Sequence, residues 1–135
     1  MKENKEHLMS ANAVYLKALS QEGRLFDLEH ILEEDPLFLY LYCKNIIKGR
    51  WKEKEHLLIN NALDYRSTRI CYSYCREVIK DRWKEAEPAF SLHPEIAFFY
   101  SLGVLRSRFI EAERILLTSS YSKDYLKLIK SHKWK

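Results

Sequence analysis

The chain has little that bends it and almost nothing that cross-links it. Three glycines and 3 prolines among 135 residues are too few for a protein of many β-hairpins. Three cysteines, an odd number, make no disulfide framework and fit a reducing compartment. No apolar run approaches the roughly 18 residues of a membrane span, so no membrane partner is expected. The polar opening Met1-Lys2-Glu3-Asn4-Lys5-Glu6-His7 has no apolar signal region behind it, and a cytoplasmic protein is the expectation. Phosphate-cradling glycine loops and the Ser-x-x-Lys and His-Glu-x-x-His motifs are missing too. The expectation is therefore no enzyme and no cofactor. What the chain does contain is 47% hydrophobic, 13% aromatic and 31% charged residues, enough for one domain with a real core and a solvated surface. A net charge of +4 permits acidic partners without demanding them.

One phrase recurs. It runs from Tyr42 to Trp51, from Tyr74 to Trp83 and from Tyr100 to Phe109, each time as Tyr, two aliphatic residues four and five places on, then Arg and an aromatic ring. A worn copy closes the chain from Tyr125 to Trp134, with Lys130 at an aliphatic position, and an earlier copy beginning at Arg24 lacks only the preceding Tyr. The arginines 24, 50, 82 and 108 are spaced by 26, 32 and 26 residues. Such a period predicts an all-α, right-handed stack of helical hairpins, an α-solenoid-like domain of about nine helices. The units are residues 6–34, 35–60, 61–92, 93–118 and a partial 119–135.

Asp35-Pro36 and His93-Pro94 read as helix starts, opening first helices over about 36–48 and 94–106. The middle copy enters through 60–64, which absorbs the six extra residues; further first helices are expected over 6–20 and 122–131. Gly49, Asp81 and Ser107 fall in the turns to the second helices, where glycine tolerates a left-handed backbone. The second helices carry a stripe that reads Leu25, Leu28, Ile31, Leu32, then Trp51, Lys54, Leu57, Leu58, then Trp83, Ala86, Ala89, Phe90, then Phe109, Ala112, Ile115, Leu116. That is one amphipathic face, broken only at Lys54. Pro88 is expected to shorten or kink its helix. On the first helices, Leu39, Cys71 and Ala97, and four residues later Cys43, Cys75 and Ser101, suit close packing.

Each repeat arginine precedes a glutamate by five residues: Arg24 and Glu29, Arg50 and Glu55, Arg82 and Glu87, Arg108 and Glu113. Five is the wrong interval for a same-face helical pair. An arginine in the turn would instead grip a carboxylate of its own or the adjacent hairpin, a structural clamp; the other reading is a ligand-binding row. A second acid in each first turn, Asp27, Glu53, Glu85 and Glu111, complements the helix dipole. Cys71, Cys75 and Cys43 with a histidine would suffice for zinc, but repeat-equivalent positions carry Ser101, Pro88 and Arg114, so no metal is expected. A basic stripe of Lys44, Lys48, Arg76, Lys80, Arg106 and Lys127, with Arg66 and Arg69, is a candidate partner surface for nucleic acid or an acidic protein. Last-turn cations complementing the helix dipole are the alternative.

Residues Tyr74-Cys75-Arg76-Glu77-Val78-Ile79-Lys80-Asp81-Arg82-Trp83-Lys84-Glu85-Ala86-Glu87 resemble short tandem repeats of uncharacterised bacteriophage proteins, which run approximately Tyr-Ala-x-x-Val-Ile-x-Gly-Arg-Trp-x-Glu-Ala-Glu. The likeness spans about residues 23 to 134 and departs from that pattern at Cys or Ser for Ala and at the six-residue insertion. It implies a helical stack and a viral source, hence a host cytoplasm, and brings no catalytic residue with it. The leading expectation is a non-catalytic module that binds another protein, with RNA or DNA binding as the alternative. Self-association through an uncapped end, with Tyr125 and Trp134 exposed there, is a further expectation.

Overall fold

The computed structural model describes residues 9–131. Helix α1 is Ala11–Gln21, followed by a 3-10 helix Phe26–Glu34. Next come α2 (Pro36–Tyr42), α3 (Glu55–Asn60), α4 (Tyr65–Tyr74), α5 (Glu87–Phe90), α6 (Pro94–Tyr100), α7 (Glu113–Leu117) and α8 (Ser122–Lys130). Among the described residues there are no strands, and the chain is all-α. Of the helix expected over 6–20 the described part is Ala11–Gln21; residues 6–8 and Trp134 lie outside the described residues. Tyr125, expected to be exposed at the end, is instead buried, with its hydroxyl bound to Glu113.

The starts follow the caps. Ser10 accepts the Ala13 N–H, Asp35 the Leu37 N–H and Asp64 the Ser67 N–H, each satisfying a donor that the first turn leaves open. Before His93 only the proline signal remains, since its side chain caps nothing. Helices α2, α4 and α6 then share an unusual end. Each loosens into a π turn, Cys43–Ile47, Cys75–Ile79 and Ser101–Leu105.

The left-handed residue at these ends is Lys48, Lys80 and Arg106, with Glu22 after α1; no glycine has positive φ. This corrects the placement of the left-handed turn at Gly49, Asp81 and Ser107. In α2 and α4 the wider turn closes back on its own first residue, Lys48 N–H on the Cys43 carbonyl at 2.8 Å and Lys80 N–H on that of Cys75 at 2.7 Å. The chirality change therefore comes one residue before the glycine, which is left free of it.

Short 3-10 turns, Lys52–Lys54, Lys84–Ala86 and Ile110–Ala112, lead into α3, α5 and α7. In the first hairpin the 3-10 geometry persists through all nine residues. Pro88 stands in the first turn of the four-residue α5 rather than late in a helix, so no bond is lost there and no kink is needed.

Helices α1, α2, α4 and α6 lie side by side in chain order, and each second helix touches the first helix before it and the one after it. Between the layers lies the core. Tyr42, Tyr74, Tyr100, Tyr125, Phe90, Phe109 and Trp83 are buried there. Leu39, Cys71 and Ala97, with Cys43, Cys75 and Ser101, are buried where the first helices meet. At the most polar of those positions the Ser101 hydroxyl donates to the Ala97 carbonyl at 2.9 Å. Burying one large side chain stabilises the fold by roughly 1.5–3 kcal/mol. The stripe on the second helices faces this core, with Ile31, Leu32, Leu58, Trp83, Ala86, Phe90, Phe109, Ala112 and Leu116 buried. Its other apolar members, Leu25, Leu28, Trp51, Leu57, Ala89 and Ile115, are half-buried. At Lys54, where the pattern breaks, the ammonium reaches Glu33 at 2.7 Å and lies over the Trp51 ring.

Candidate functional site

Each Arg–Glu pair is closed within its own hairpin and then tied to the next one. In the third hairpin, Arg82 donates from Nε to Glu87 Oε2 at 2.8 Å and from Nη2 to Oε1 at 3.1 Å. Tyr100, from the following first helix, donates its hydroxyl to the same Oε2 at 2.6 Å. That hydroxyl oxygen accepts the Trp83 N–H at 3.0 Å. Arg24, Glu29 and Tyr42 repeat the arrangement around the Leu25 N–H. Arg50, Glu55 and Tyr74 do so around Trp51, and Arg108, Glu113 and Tyr125 around Phe109. The five-residue interval works because a 3-10 turn lies between the arginine and the glutamate and folds the carboxylate back under the fork.

The joint satisfies groups that would otherwise be costly to bury. Glu29, Glu55 and Glu87 are buried, and burial pushes each carboxyl up. The hydrogen bonds from arginine and tyrosine more than offset that, so all three sit below the ordinary carboxylate range. At Glu113 the bond from Arg108 dominates and the direction is the same. Burial, then the glutamate beside it, pushes the Tyr42 and Tyr125 hydroxyls up to about 12; Tyr74 and Tyr100 move the same way. The tyrosine is the member that spacing did not reveal. A signal existed: four arginine–glutamate pairs are each followed by one phrase-opening tyrosine.

The cysteines are free and buried. Burial raises Cys43 and Cys75 to about 12 and Cys71 further, so the thiols stay protonated. Among the described residues no group of three or more His, Cys, Asp or Glu is placed to hold a metal ion.

The basic residues are all exposed, and most of them line one of several hollows. Lys48, Lys80 and Arg106 occupy left-handed caps, off the helix faces that the spacing assigned them. Lys44, Lys48 and Lys80 line one hollow of about 190 Å³, where Glu77 is the carboxylate, 3.9 Å from Lys44. Arg66 and Arg69 line another, of about 670 Å³, between α2 and α4. Arg69 and Arg76 line a third, of about 250 Å³, between α4 and α6. Lys127 stands apart beside Phe98 and Leu102. The second and third hollows share Tyr65, Arg69 and Ser73, so they form one furrow across three hairpins. Tyr65, Tyr72 and Phe99, which line it, were not singled out by the sequence; the only signal was the insertion that supplies Tyr65.

Set against protein-family models, curated proteins and solved structures, the chain matches none. No helix among the described residues is long and apolar enough to cross a membrane.

Proposed function

We propose that this chain is a non-catalytic helical-repeat module that binds another protein, a viral factor acting on a host protein in the host cytoplasm, as the likeness to bacteriophage repeats implies. The observation that supports the reading is the furrow across α2, α4 and α6. It joins hairpins that the Arg–Glu–Tyr joints hold in fixed register, and it leaves aromatic rings and guanidinium groups facing solvent. Exposed aromatic residues and arginines are the residue types that carry most binding energy at protein interfaces. Affinity capture from host lysate with the intact chain and with Phe99→Glu tests it. A partner retained by the first and lost by the second, at equal thermal stability, is the expected result. No partner at all would count against the reading.

Nucleic-acid binding has one observation in its favour, the hollow in which Lys44, Lys48 and Lys80 face a single carboxylate. Binding of generic RNA and DNA across a salt series separates the two readings, because phosphate-driven affinity falls steeply with salt.

A further inference from the structure

The six-residue insertion brings one small residue, Ala62, into the core and otherwise adds surface. Helix α4 spans ten residues where α2 and α6 span seven. All three end on the joint tyrosine, so the added turn is the N-terminal one, Tyr65, Arg66 and Ser67. Tyr65 is 39% exposed and Leu63, just before the helix, is 87% exposed. An insertion that served only the core would have turned Leu63 and Tyr65 inward as well. The extra turn instead carries a ring and a cation to the furrow.

Along α4, Tyr65, Arg69, Tyr72 and Arg76 follow at intervals of four, three and four, which is one helix face. Ring and guanidinium alternate down it, and Arg69 lies over the Tyr65 ring at 5.9 Å. Leu37 and Ile70 flank this line on the α2 side, Ile96 and Phe99 on the α6 side.

The charges in the furrow are not equally engaged. Asp35 caps α2 through the Leu37 N–H, Glu95 accepts the Tyr65 hydroxyl, and Glu77 faces Lys44. Arg66, Arg69 and Arg76 have no carboxylate within 4.0 Å among the described residues. The unmet demand is for carboxylates at three points along about 15 Å, taking 1.5 Å of rise per residue between Arg66 and Arg76. Apolar contacts are wanted between them. A nucleic-acid strand fits poorly, because its evenly spaced phosphates cannot skip Glu77 and Glu95, whereas a helix can place carboxylates at the arginines and neutral residues opposite the two glutamates. Helices packed side by side leave a groove that a third helix fills, with anchors recurring every three or four residues.

We propose that the furrow along α4 docks an amphipathic helix of the partner protein, its carboxylates on Arg66, Arg69 and Arg76 and its apolar side chains against Tyr65, Tyr72 and Phe99. This rests on the protein-binding reading and goes further by naming the chemistry of the bound segment.

The test is selection of the intact chain against a displayed library of random 16-residue peptides. The enriched sequences are then measured as labelled synthetic peptides. Acidic residues three, four or seven apart with Leu, Ile or Phe between them are expected. Arg69→Glu and Arg76→Glu should each weaken such a peptide by about tenfold or more, since like charge at a contact replaces attraction by repulsion. Lys48→Glu, in the turn hollow, should leave its affinity unchanged. All three positions are exposed, and an unaltered thermal melt certifies each variant. Absence of acidic enrichment, binding indifferent to both arginine variants, or displacement of the peptide by labelled oligouridine RNA at physiological salt would each overturn the proposal. Lysate capture that survives Arg69→Glu would sink the furrow while leaving protein binding intact.

Discussion

The first and third joints use the same three side chains in the same geometry, yet one closes over a leucine and the other over a tryptophan. Around Trp83 the core is aromatic: Tyr74 lies 5.3 Å away, Phe90 6.5 Å away, and Phe90 meets Tyr100 at 4.9 Å. Around Leu25 the next residue, Phe26, is 70% exposed, and Arg24 spreads its guanidinium over Phe26 and Trp51, 4.6 and 5.3 Å from the ring centres. Hydrogen bonds thus fix how one hairpin meets the next, whatever residue lies beneath, and the buried ring decides how much stability that meeting brings. Cations do part of the covering in the first half of the chain and rings do it in the second.

The sharpest way to break this contrast is to truncate the ring. Trp83→Ala should cost about 3–5 kcal/mol in denaturant unfolding. Leu25→Ala, half-buried, should cost no more than about 2 kcal/mol. Equal losses would erase the distinction between the halves. Removing the carboxylate comes next. Glu87→Ala should cost about 3 kcal/mol, because it leaves the Tyr100 hydroxyl and part of the Arg82 fork without their acceptor. Glu113→Ala, in the most exposed joint, should cost about half as much.

The joints also predict how stability varies with pH. The four glutamates have lowered values in the folded state, so their contribution is whole above the ordinary carboxylate value of about 4.3 and is lost as pH falls through the folded values. Tyr42 and Tyr125 have raised values, so theirs is whole below about pH 10 and is lost as pH rises through about 12. Melts across pH should fall at both ends, and Tyr125→Phe should reduce the alkaline loss. The smallest effect is at the turn. Lys48→Gly should be neutral or stabilise by up to about 1 kcal/mol by relieving a left-handed lysine, whereas Gly49→Ala should change little, since an added Cβ meets nothing within 4 Å.

Helix positions, the buried stripe and the arginine–glutamate pairs were legible because each depends on residues close in sequence. The tyrosine's part was not. It lies 13, 19, 13 and 12 residues beyond its glutamate, an interval stretched by the insertion, and it opens the following phrase, so the repeat as it reads to the eye cuts each joint in two. Gly49 misled about the turn, since the π turn moves the left-handed residue to Lys48. The same shift puts Lys48, Lys80 and Arg106 in left-handed caps, although Lys48 and Lys80 still share a hollow with Lys44. The furrow escaped notice because its lining comes from three helices whose exposed faces follow no shared pattern, Leu37, Arg69 and Glu95 being equivalent in the repeat.

That each joint couples two hairpins is tested most directly by a double-mutant cycle on Glu87 and Tyr100. Glu87→Gln, Tyr100→Phe and the double variant are compared by equilibrium unfolding. The hydroxyl and the carboxylate belong to different hairpins and meet at 2.6 Å, so a coupling of about 1 kcal/mol or more is expected. Additive losses, with no coupling beyond about 0.3 kcal/mol, would contradict the joint.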